Sequence, residues 1–410
     1  MQPMNVVFVA PYAMETTLRF VRYVAKLPGV RLGVLSQQPE KAFTKGLEAD
    51  LDGFVQLKDP LDPLELGNGV RTLAKTFDGR VDRLIGVLEQ LQEPLAEVRE
   101  ALGIRGMDRR EAVHFRDKSQ MKDVLRSHGL PCAKHALATD PEQALAFART
   151  CLPLVAKPPA GAGARNTMRV DDLEQLQGYL RTLPPTAQQP LLLEEFIVGR
   201  EHSFDSVSVG GEHVFHSISR YTPTPLEVME NPWIQWCVVL PRDVDGDEYD
   251  DIRQAGRQAL DALGMVTGLT HMEWFRRPDG SLAISEVAAR PPGAQFTSLL
   301  SFAHDVDFYA AWARLMVFEE FDVPTRDFAC GAVFLRGQGN KDGKVARVHG
   351  IEEAKRELGD LVAMAKIPEP GSPAAKDYEG EGFVILRHPE TEAVEEGLAR
   401  VMQLIRVELS

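Results

Sequence analysis

The stretch that most constrains the fold runs from Leu269 to Arg290 and reads LTHMEWFRRPDGSLAISEVAAR. Both of its ends alternate between apolar and polar residues with a period of two, which is typical of half-buried β-strands. Between these ends, Asp279-Gly280 is a dipeptide that two-residue type I′ turns favour. The stretch therefore predicts a β-hairpin.

In a hairpin closed by those two residues, Glu273 faces Glu286, because each glutamate is six residues from its turn residue. Facing side chains lie roughly 4.5–5.5 Å apart at Cβ, and like charges there destabilise a sheet unless something neutralises them. Mg²⁺ binds one or two protein carboxylates and completes its shell with water and substrate phosphates. The pair indicates either a metal–nucleotide site or two solvated glutamates on an exposed face. A wider turn would leave the two glutamates only diagonal to each other.

Composition and charge exclude several classes of protein. The chain has 410 residues, of which 44% are hydrophobic and 26% charged, as in globular proteins of two or three domains. The net charge of −14 argues against a nucleic-acid partner, because such binding depends on clustered Lys and Arg. The sequence contains neither a membrane-span pattern nor a secretory signal, so we expect no membrane partner. Four scattered cysteines fit reduced thiols, and we expect a cytoplasmic location.

The order of predicted elements favours an α/β and α+β protein. An apolar run at 6–10, a helical pattern and a strand at 31–35 form a β-α-β opening, typical of a doubly wound α/β domain. No G-x-G-x-x-G motif follows the first strand, so a dinucleotide site there is not supported. The composition becomes strand-rich after Thr325. We predict an N-terminal α/β domain at 1–110, a central domain at 111–325 and a small C-terminal α+β domain at 326–410.

Two lysines stand at positions suited to an anion. Asp117 can cap a helix that carries Lys118 in its first turn, where a cation opposes the helix dipole. This placement indicates a negative ligand or a merely solvated lysine. Lys157 ends a predicted strand before a loop of small residues that includes Gly161 and Gly163. Such loops let backbone N–H groups approach phosphate oxygens, although Gly/Ala-rich turns are common and this is not the P-loop pattern.

The acidic pair Glu194-Glu195 ends a buried strand and leads into the linker Phe196-Ile197. A linker of this kind can offer backbone N–H and C=O groups to an adenine edge, or it can be a plain connection between domains. Arg290 adds a fixed cation suited to phosphate or carboxylate.

The segment at 219–242 is rich in Pro and Trp and lacks a clean period, so we predict a loop over a site. Its side chains either meet a substrate or take part in packing: Arg220, Tyr221, Trp233 and Trp236.

Taken in order, these motifs are similar to those of the ATP-grasp superfamily of carboxylate ligases. The resemblance spans roughly residues 116–293 and rests on Lys118 in RDKSQMK, Lys157 in PLVAKP, the EEFI linker with Gly199-x-Glu201, and Glu273, Glu286 and Arg290. The ending EVAARPPG is more similar to bacterial L-amino-acid ligases and to the ligase part of carnosine synthases. The resemblance implies an ATP-grasp fold with a pre-ATP-grasp domain at 1–110 and the nucleotide-binding and catalytic domain at 111–325.

The resemblance also implies ATP and Mg²⁺ as ligands, with Mn²⁺ as an alternative. The residues that would surround the nucleotide are Lys118 and Lys157 at the α- and β-phosphates, Gly161 and Gly163 over the phosphate tail, Glu195, Phe196 and Ile197 at adenine with Glu194 beside it, and Glu201 at the ribose. Glu273 and Glu286 would bind Mg²⁺, and Arg290 would face the γ-phosphate and the acyl phosphate. One position departs from the family pattern: Ala288 stands where many members have Asn as a further metal ligand.

The implied activity is ATP-dependent joining of a small-molecule carboxylate, such as an amino acid, to an amine through an acyl phosphate, releasing ADP and phosphate. A carboxylase or kinase with the same fold is an alternative. A catalytically silent ATP-binding regulatory protein is another, suggested by Ala288 at the position of a metal ligand. Homodimers are common among related proteins, and the sequence does not decide the oligomeric state.

Overall fold

The computed structural model of the chain describes residues 2–43, 47, 51–161, 166–231 and 233–410. The N-terminal part contains a parallel four-stranded sheet in the order β3-β2-β1-β4, as the predicted β-α-β opening requires. Its elements are β1 Met4–Val9, α1 Glu15–Ala25, β2 Val30–Ser36, β3 Gly53–Gln56, α2 Pro63–Thr76, β4 Arg83–Ile85 and α3 Gln92–Leu102.

Burial on both faces explains why the first strand reads as a continuous apolar run. Val6, Val7 and Phe8 of β1 are fully buried, as expected for a parallel strand covered by helices.

A second sheet, antiparallel and four-stranded, follows in the order β5-β8-β6-β7. This part of the chain comprises α4 Arg109–Arg116, α5 Lys118–Ser127, β5 His135–Ala138, α6 Pro141–Ala148, β6 Leu154–Lys157, β7 Met168–Val170, α7 Leu173–Thr182 and β8 Leu191–Glu195. Apolar residues of α6 and α7 pack on those of the strands and form one core cluster. The sheet therefore has one covered face, and its strand ends carry Lys157 and Glu194.

The largest sheet has eight strands in the order β13-β12-β9-β10-β11-β14-β18-β17. The elements from residue 200 onward are β9 Arg200–Val209, β10 Glu212–Thr222, α8 Pro225–Glu230, β11 Trp236–Leu240, α9 Asp250–Leu263, β12 Gly268–Arg276, β13 Leu282–Ala288, α10 Phe296–His304, α11 Phe308–Phe318, β14 Ala329–Leu335, β15 Gln338–Gly339, β16 Val345–His349, α12 Ile351–Leu358, β17 Val362–Lys366, β18 Gly382–His388, α13 Thr391–Leu404 and β19 Arg406–Leu409. Strands β15, β19 and β16 form a separate three-stranded sheet.

Strands from after residue 325 complete the same sheet that contains β12 and β13. Residues 326–410 contribute β14, β17 and β18 to it, and β11 pairs with β14 along five residues. The division of the chain into 1–110, 111–325 and 326–410 stays a prediction, because the backbone pairing of this sheet continues across residue 325.

Aromatic packing joins the N-terminal part to the rest of the molecule. The ring of Phe20 on α1 lies 4.8 Å from that of Trp312 on α11, both measured between centroids. Both side chains are buried in the core cluster that also includes Phe8 and Leu299. Among the described helices, none is long and apolar enough to cross a membrane.

Candidate active site

A cavity of about 480 Å³ is lined by residues from the antiparallel four-stranded sheet β5-β8-β6-β7 and from the eight-stranded sheet. Many of the residues singled out in the sequence line it: Lys118, Lys157, Gly161, Glu194, Glu195, Phe196, Ile197, Glu201, Tyr221, Trp236, Glu273, Glu286, Ala288 and Arg290. The fold thus brings together residues that are up to 172 positions apart in the sequence. Gly163 lies outside the described residues.

The hairpin places Glu273 opposite Glu286, which confirms the predicted pairing. The predicted two-residue turn is wrong, however. The N–H of Arg277 donates to the carbonyl of Ser281 at 2.8 Å, and Gly280 adopts a φ of +84°, so the loop has three residues. A bulge after Glu273 shifts the register, because Trp274 pairs with Ile284 and Ser285 is the extra residue. The wider turn shifts the strand register by one residue and the bulge shifts it back by one, so the two glutamates still face each other.

Lys118 supplies a counter-charge to the second glutamate. Its Nζ lies 2.9 Å from Oε1 of Glu286 and donates to the carbonyl of Gly161 at 2.9 Å. Asp117 caps α5 by accepting from the N–H of Ser119, as the sequence predicts. Burial raises the pKa of Glu286, but the ammonium groups of Lys118 and Lys157 outweigh burial and hold this pKa below its ordinary value. The Glu286 carboxylate is therefore ionised and able to bind a cation.

Glu194 lies between two lysines in the wall of the cavity. Its Oε1 is 2.9 Å from Nζ of Lys122, and its Oε2 is 2.8 Å from Nζ of Lys157. Although burial raises the pKa of Glu194, these two cations lower it to about 2. Burial has the opposite effect on a lysine and lowers the pKa of Lys157, but the carboxylates of Glu194 and Glu286 raise this pKa above the ordinary lysine value. Lys157 is thus a cation at the edge of the cavity.

Sequence reasoning missed Lys122, which is fully buried. Burial lowers the pKa of Lys122, and the Glu194 carboxylate acts in the opposite direction. The signal was present in the sequence, because Lys122 is four residues after Lys118 and therefore lies on the same face of α5.

Glu201, on β9, lines the cavity and is buried. Burial and then the nearby charge of Glu273 raise the pKa of Glu201 well above its ordinary value. This environment favours the protonated form of the carboxyl. A hydroxyl-rich neighbour such as a ribose could exchange hydrogen bonds with it, and that role stays a prediction.

The predicted adenine linker has two engaged backbone donors and one unengaged donor. The N–H of Glu195 donates to the carbonyl of Lys134 at 2.8 Å and that of Phe196 to the carbonyl of Pro153 at 3.1 Å, so neither is available to a ligand. Within the described part of the chain, the N–H of Ile197 has no protein acceptor. The ring of Phe196 lies 4.3 Å from the guanidinium carbon of Arg169. Contact between this linker and adenine stays a prediction, with Ile197 as its available donor.

Arg290 is held from two sides. Its Nε donates to the carboxylate of Glu89, and its Nη1 donates to the carbonyl of Pro291 at 2.9 Å. Glu89 lies before α3, is only 6% exposed, and has its other oxygen 3.8 Å from Arg116. Arg116 in turn donates to the Gly161 carbonyl at 3.1 Å. The N-terminal part therefore orients Arg290, and sequence reasoning missed Glu89 because this contact joins positions 201 residues apart.

Two of the four proposed substrate residues do not line the cavity. Arg220 bonds the Tyr249 hydroxyl at 2.9 Å and Glu395 at 3.3 Å, and Trp233 is 62% exposed. Neighbouring residues on a strand point to opposite faces, so Tyr221 faces the cavity and Arg220 faces away.

The prediction of a loop at 219–242 is also wrong. The segment contains the end of β10, the helix α8 and the strand β11. Four of the five residues of β11 are buried, so the sequence shows no polar alternation that would reveal this strand.

A buried His–Asp pair, unrecognised in the sequence, completes this wall. Nδ1 of His271 lies 2.6 Å from Asp205, and Nε2 lies 3.8 Å from Glu273 and 3.3 Å from the Tyr221 hydroxyl. Burial lowers the pKa of His271, but the Asp205 carboxylate raises it to about 10.

The donor set fits a metal that is shared with phosphates. Among the described residues there is no group of three or more His, Cys, Asp or Glu side chains that could hold a metal by itself. Two facing carboxylates are nevertheless what Mg²⁺ uses when water and substrate phosphates complete its octahedron. Ala288, at the position of the family's Asn, lines the cavity without offering a ligand atom.

Removing the side chain of Lys157 gives a direct test of the phosphate prediction. We expect Lys157→Ala to raise the KM for ATP by about 10-fold to 100-fold, because one charge-assisted hydrogen bond is lost. Initial rates at varied ATP measure this effect, with Lys355→Ala, a solvent-exposed lysine, as the control. An unaltered KM for ATP would remove Lys157 from the nucleotide site.

Comparison with known proteins shows which of them the chain is similar to. No family model matches the chain. An L-arginine-specific L-amino acid ligase from Bacillus subtilis is 23% identical over 289 residues, which are 69% of each protein. The crystal structure of an L-amino acid ligase from Bacillus licheniformis superposes with a TM-score of 0.79 at 19% identity and covers all of both chains.

A second solved structure widens the comparison. The N5-carboxyaminoimidazole ribonucleotide synthetase from Thermotoga maritima has a TM-score of 0.71 at 17% identity, covering 99% of this chain and 100% of that one. The predicted fold class is confirmed. The chain has the ATP-grasp fold and is similar in sequence and in structure to L-amino acid ligases.

Proposed function

We propose that the protein is an ATP- and Mg²⁺-dependent ligase that joins the carboxylate of one small molecule to the amine of another, both of them amino acids. The observation that carries this proposal is the arrangement of charge in one cavity. The cations of Lys118, Lys157 and Arg290 surround the facing carboxylates of Glu273 and Glu286.

This arrangement of charge can hold two anions close together. A carboxylate is a poor electrophile and has the same sign of charge as ATP, so the two must be held together by an opposing field. Lys118 and Lys157 would hold the phosphates, and the Arg290 guanidinium, fixed by Glu89 through its Nε, keeps the N–H groups of Nη2 for the γ-phosphate and the substrate carboxylate. Mg²⁺ bound between Glu273 and Glu286 would supply further positive charge to the phosphates.

Two displacements complete the proposed reaction. A carboxylate oxygen attacks the γ-phosphorus and ADP leaves, which gives an acyl phosphate. The amine nitrogen then attacks the acyl carbon, phosphate leaves, and the nitrogen loses a proton as the amide forms. Positioning contributes most of the rate in such transfers, which agrees with charged groups held by buried partners.

Amino acids are supported as substrates by the relatives and by the shape of the site. The relatives at 69% and 100% coverage are named as ligases of L-amino acids. Beyond the charged residues, the cavity is lined by the aromatic side chains Tyr221, Trp236, Phe296 and Tyr378. Such a wall suits a small organic substrate better than a protein.

The unbonded state of all four cysteines supports the expected cytoplasmic location.

Trapping of the acyl phosphate tests this function. We expect phosphate release from Mg·ATP in the presence of one amino acid from a panel, and conversion of that acid to a hydroxamate when hydroxylamine is added. Hydroxylamine attacks the acyl carbon in place of the amine and expels phosphate. Reactions without ATP serve as controls. Absence of hydroxamate with every acid, despite ATP binding, would contradict the proposal.

A carboxylase is the second candidate, because the protein also superposes on a carboxyaminoimidazole ribonucleotide synthetase. In that case ATP turnover would depend on added bicarbonate rather than on an amino acid. Phosphate release measured with and without bicarbonate, in degassed buffer, separates the two functions.

A further inference from the structure

Lys122 connects the two sheets that form the candidate site. Its Nζ lies 2.9 Å from Glu194 at the end of β8 and donates to the carbonyl of Ser285 on β13 at 2.6 Å. Ser285 is the bulged residue beside Glu286, so one buried ammonium group contacts both the lysine-bearing sheet and the glutamate-bearing hairpin. Lys122 does not line the cavity and cannot act on a ligand directly.

The charges around Lys122 form a balance. Glu194 contacts two cations, Lys122 and Lys157, and only Lys157 lines the cavity. With both lysines protonated the trio has a net charge of about +1, and without Lys122 the pair Glu194–Lys157 has a net charge of about zero. A neutral pair would attract phosphate weakly, because its field falls off within a short distance.

We propose that Lys122 is a positioning residue that neutralises Glu194, so that the charge of Lys157 remains available to the phosphates of ATP. This inference rests on the proposed function. It assigns a role to a side chain that touches neither ATP nor the substrates. It also explains the buried Glu194. This carboxylate fixes the ammonium group of Lys157 at the cavity edge, and because Lys122 also pairs with it, the positive charge of Lys157 is not fully neutralised.

Three variants test the balance: Lys122→Met, Glu194→Gln and the double variant. We expect Lys122→Met to weaken Mg·ATP binding by about 10-fold to 100-fold. The double variant should bind within about threefold of wild type, since Lys157 alone again contributes about +1. Isothermal titration calorimetry with Mg·ATP gives the dissociation constants, and Lys75→Met, an exposed lysine on α2, is the matched control.

A purely structural role predicts a different pattern, in which each substitution lowers the affinity and the double variant is worst. That pattern would overturn the inference. A Lys122→Met variant that binds Mg·ATP like wild type would also overturn it, because this result would indicate that Lys122 is already neutral in the wild-type protein. The KM for the amino acid should stay within about twofold in all three variants, because the balance acts on phosphate alone.

Glu194→Gln keeps the inference testable if Lys122→Met does not fold. This single variant should bind Mg·ATP at least as tightly as wild type, because the cavity edge gains positive charge, and weaker binding would overturn the inference. The wild-type protein separates the two proposals. If it binds Mg·ATP and turns it over while the variants fail the predicted pattern, only the inference fails. If wild type binds no Mg·ATP, the proposed function fails and the inference with it.

Discussion

Replacement of Glu286 by glutamine is expected to reduce ATP turnover by about a thousandfold or more while the fold is retained. The substitution keeps the shape of the side chain and removes one of the two facing carboxylates that would bind Mg²⁺. Loss of metal-assisted charge stabilisation removes several kcal/mol from the stabilisation of the transition state. ADP formation measured at saturating Mg·ATP, with the amino acid identified by trapping, gives the size of the loss.

The control separates the loss of a metal ligand from a loss of stability. Glu286→Gln also leaves Lys118 without its carboxylate partner, so a modest decrease in melting temperature is expected. Near-ultraviolet circular dichroism should remain that of wild type, and Glu352→Gln, an exposed glutamate, should leave the turnover unchanged. Full turnover by a folded Glu286→Gln variant would refute the metal assignment.

Arg290→Lys is expected to lower kcat by about 100-fold to 1000-fold with a smaller change in the KM for ATP. Lysine keeps the charge but lacks the planar fork, so it cannot donate to Glu89 and Pro291 and still present two parallel N–H groups to a developing acyl phosphate. Removing one preorganised donor to a transition-state charge has an effect of this size in other enzymes. Initial rates at varied ATP and varied amino acid give kcat and both KM values.

The pattern of the two constants identifies the role. A loss confined to the KM for ATP would show that Arg290 contributes to ground-state binding alone. Arg314→Lys alters a partly exposed arginine that pairs with Glu320 and should leave both constants unchanged. If Arg290→Lys behaves like this control, Arg290 does not act on the γ-phosphate or the acyl phosphate.

The sequence alone predicted those features of the site that depend on local backbone preferences. Period-two alternation predicted the hairpin, the two-residue turn assumed for it predicted that Glu273 faces Glu286, and Asp117 caps α5 as expected. The turn was predicted too short, and the pairing survived because the bulge at Ser285 adds the compensating residue. A bulge of this kind has no clear signature in a sequence, since it depends on how the strand meets its neighbours.

The order of motifs also allowed the fold class to be recognised. Each motif lies at the end of an element: Lys157 at the end of β6, Glu194 near the end of β8 and Glu286 near the end of β13. Elements such as these are specified by nearby residues, so their order along the chain carries information about the fold. The strand β11 escaped prediction because four of its five residues are buried, which removes the polar alternation.

Only the tertiary structure decided which charges are partners. The contacts of Lys122 with Glu194 and Ser285, of Arg290 with Glu89, and of His271 with Asp205 join segments that are distant in the sequence. Helix and strand preferences act between residues a few positions apart, whereas an ion pair depends on where packing brings two side chains and how much water it excludes. The sequence therefore determined the elements and most of the candidate residues, and the packing of the sheets determined which of those residues act together.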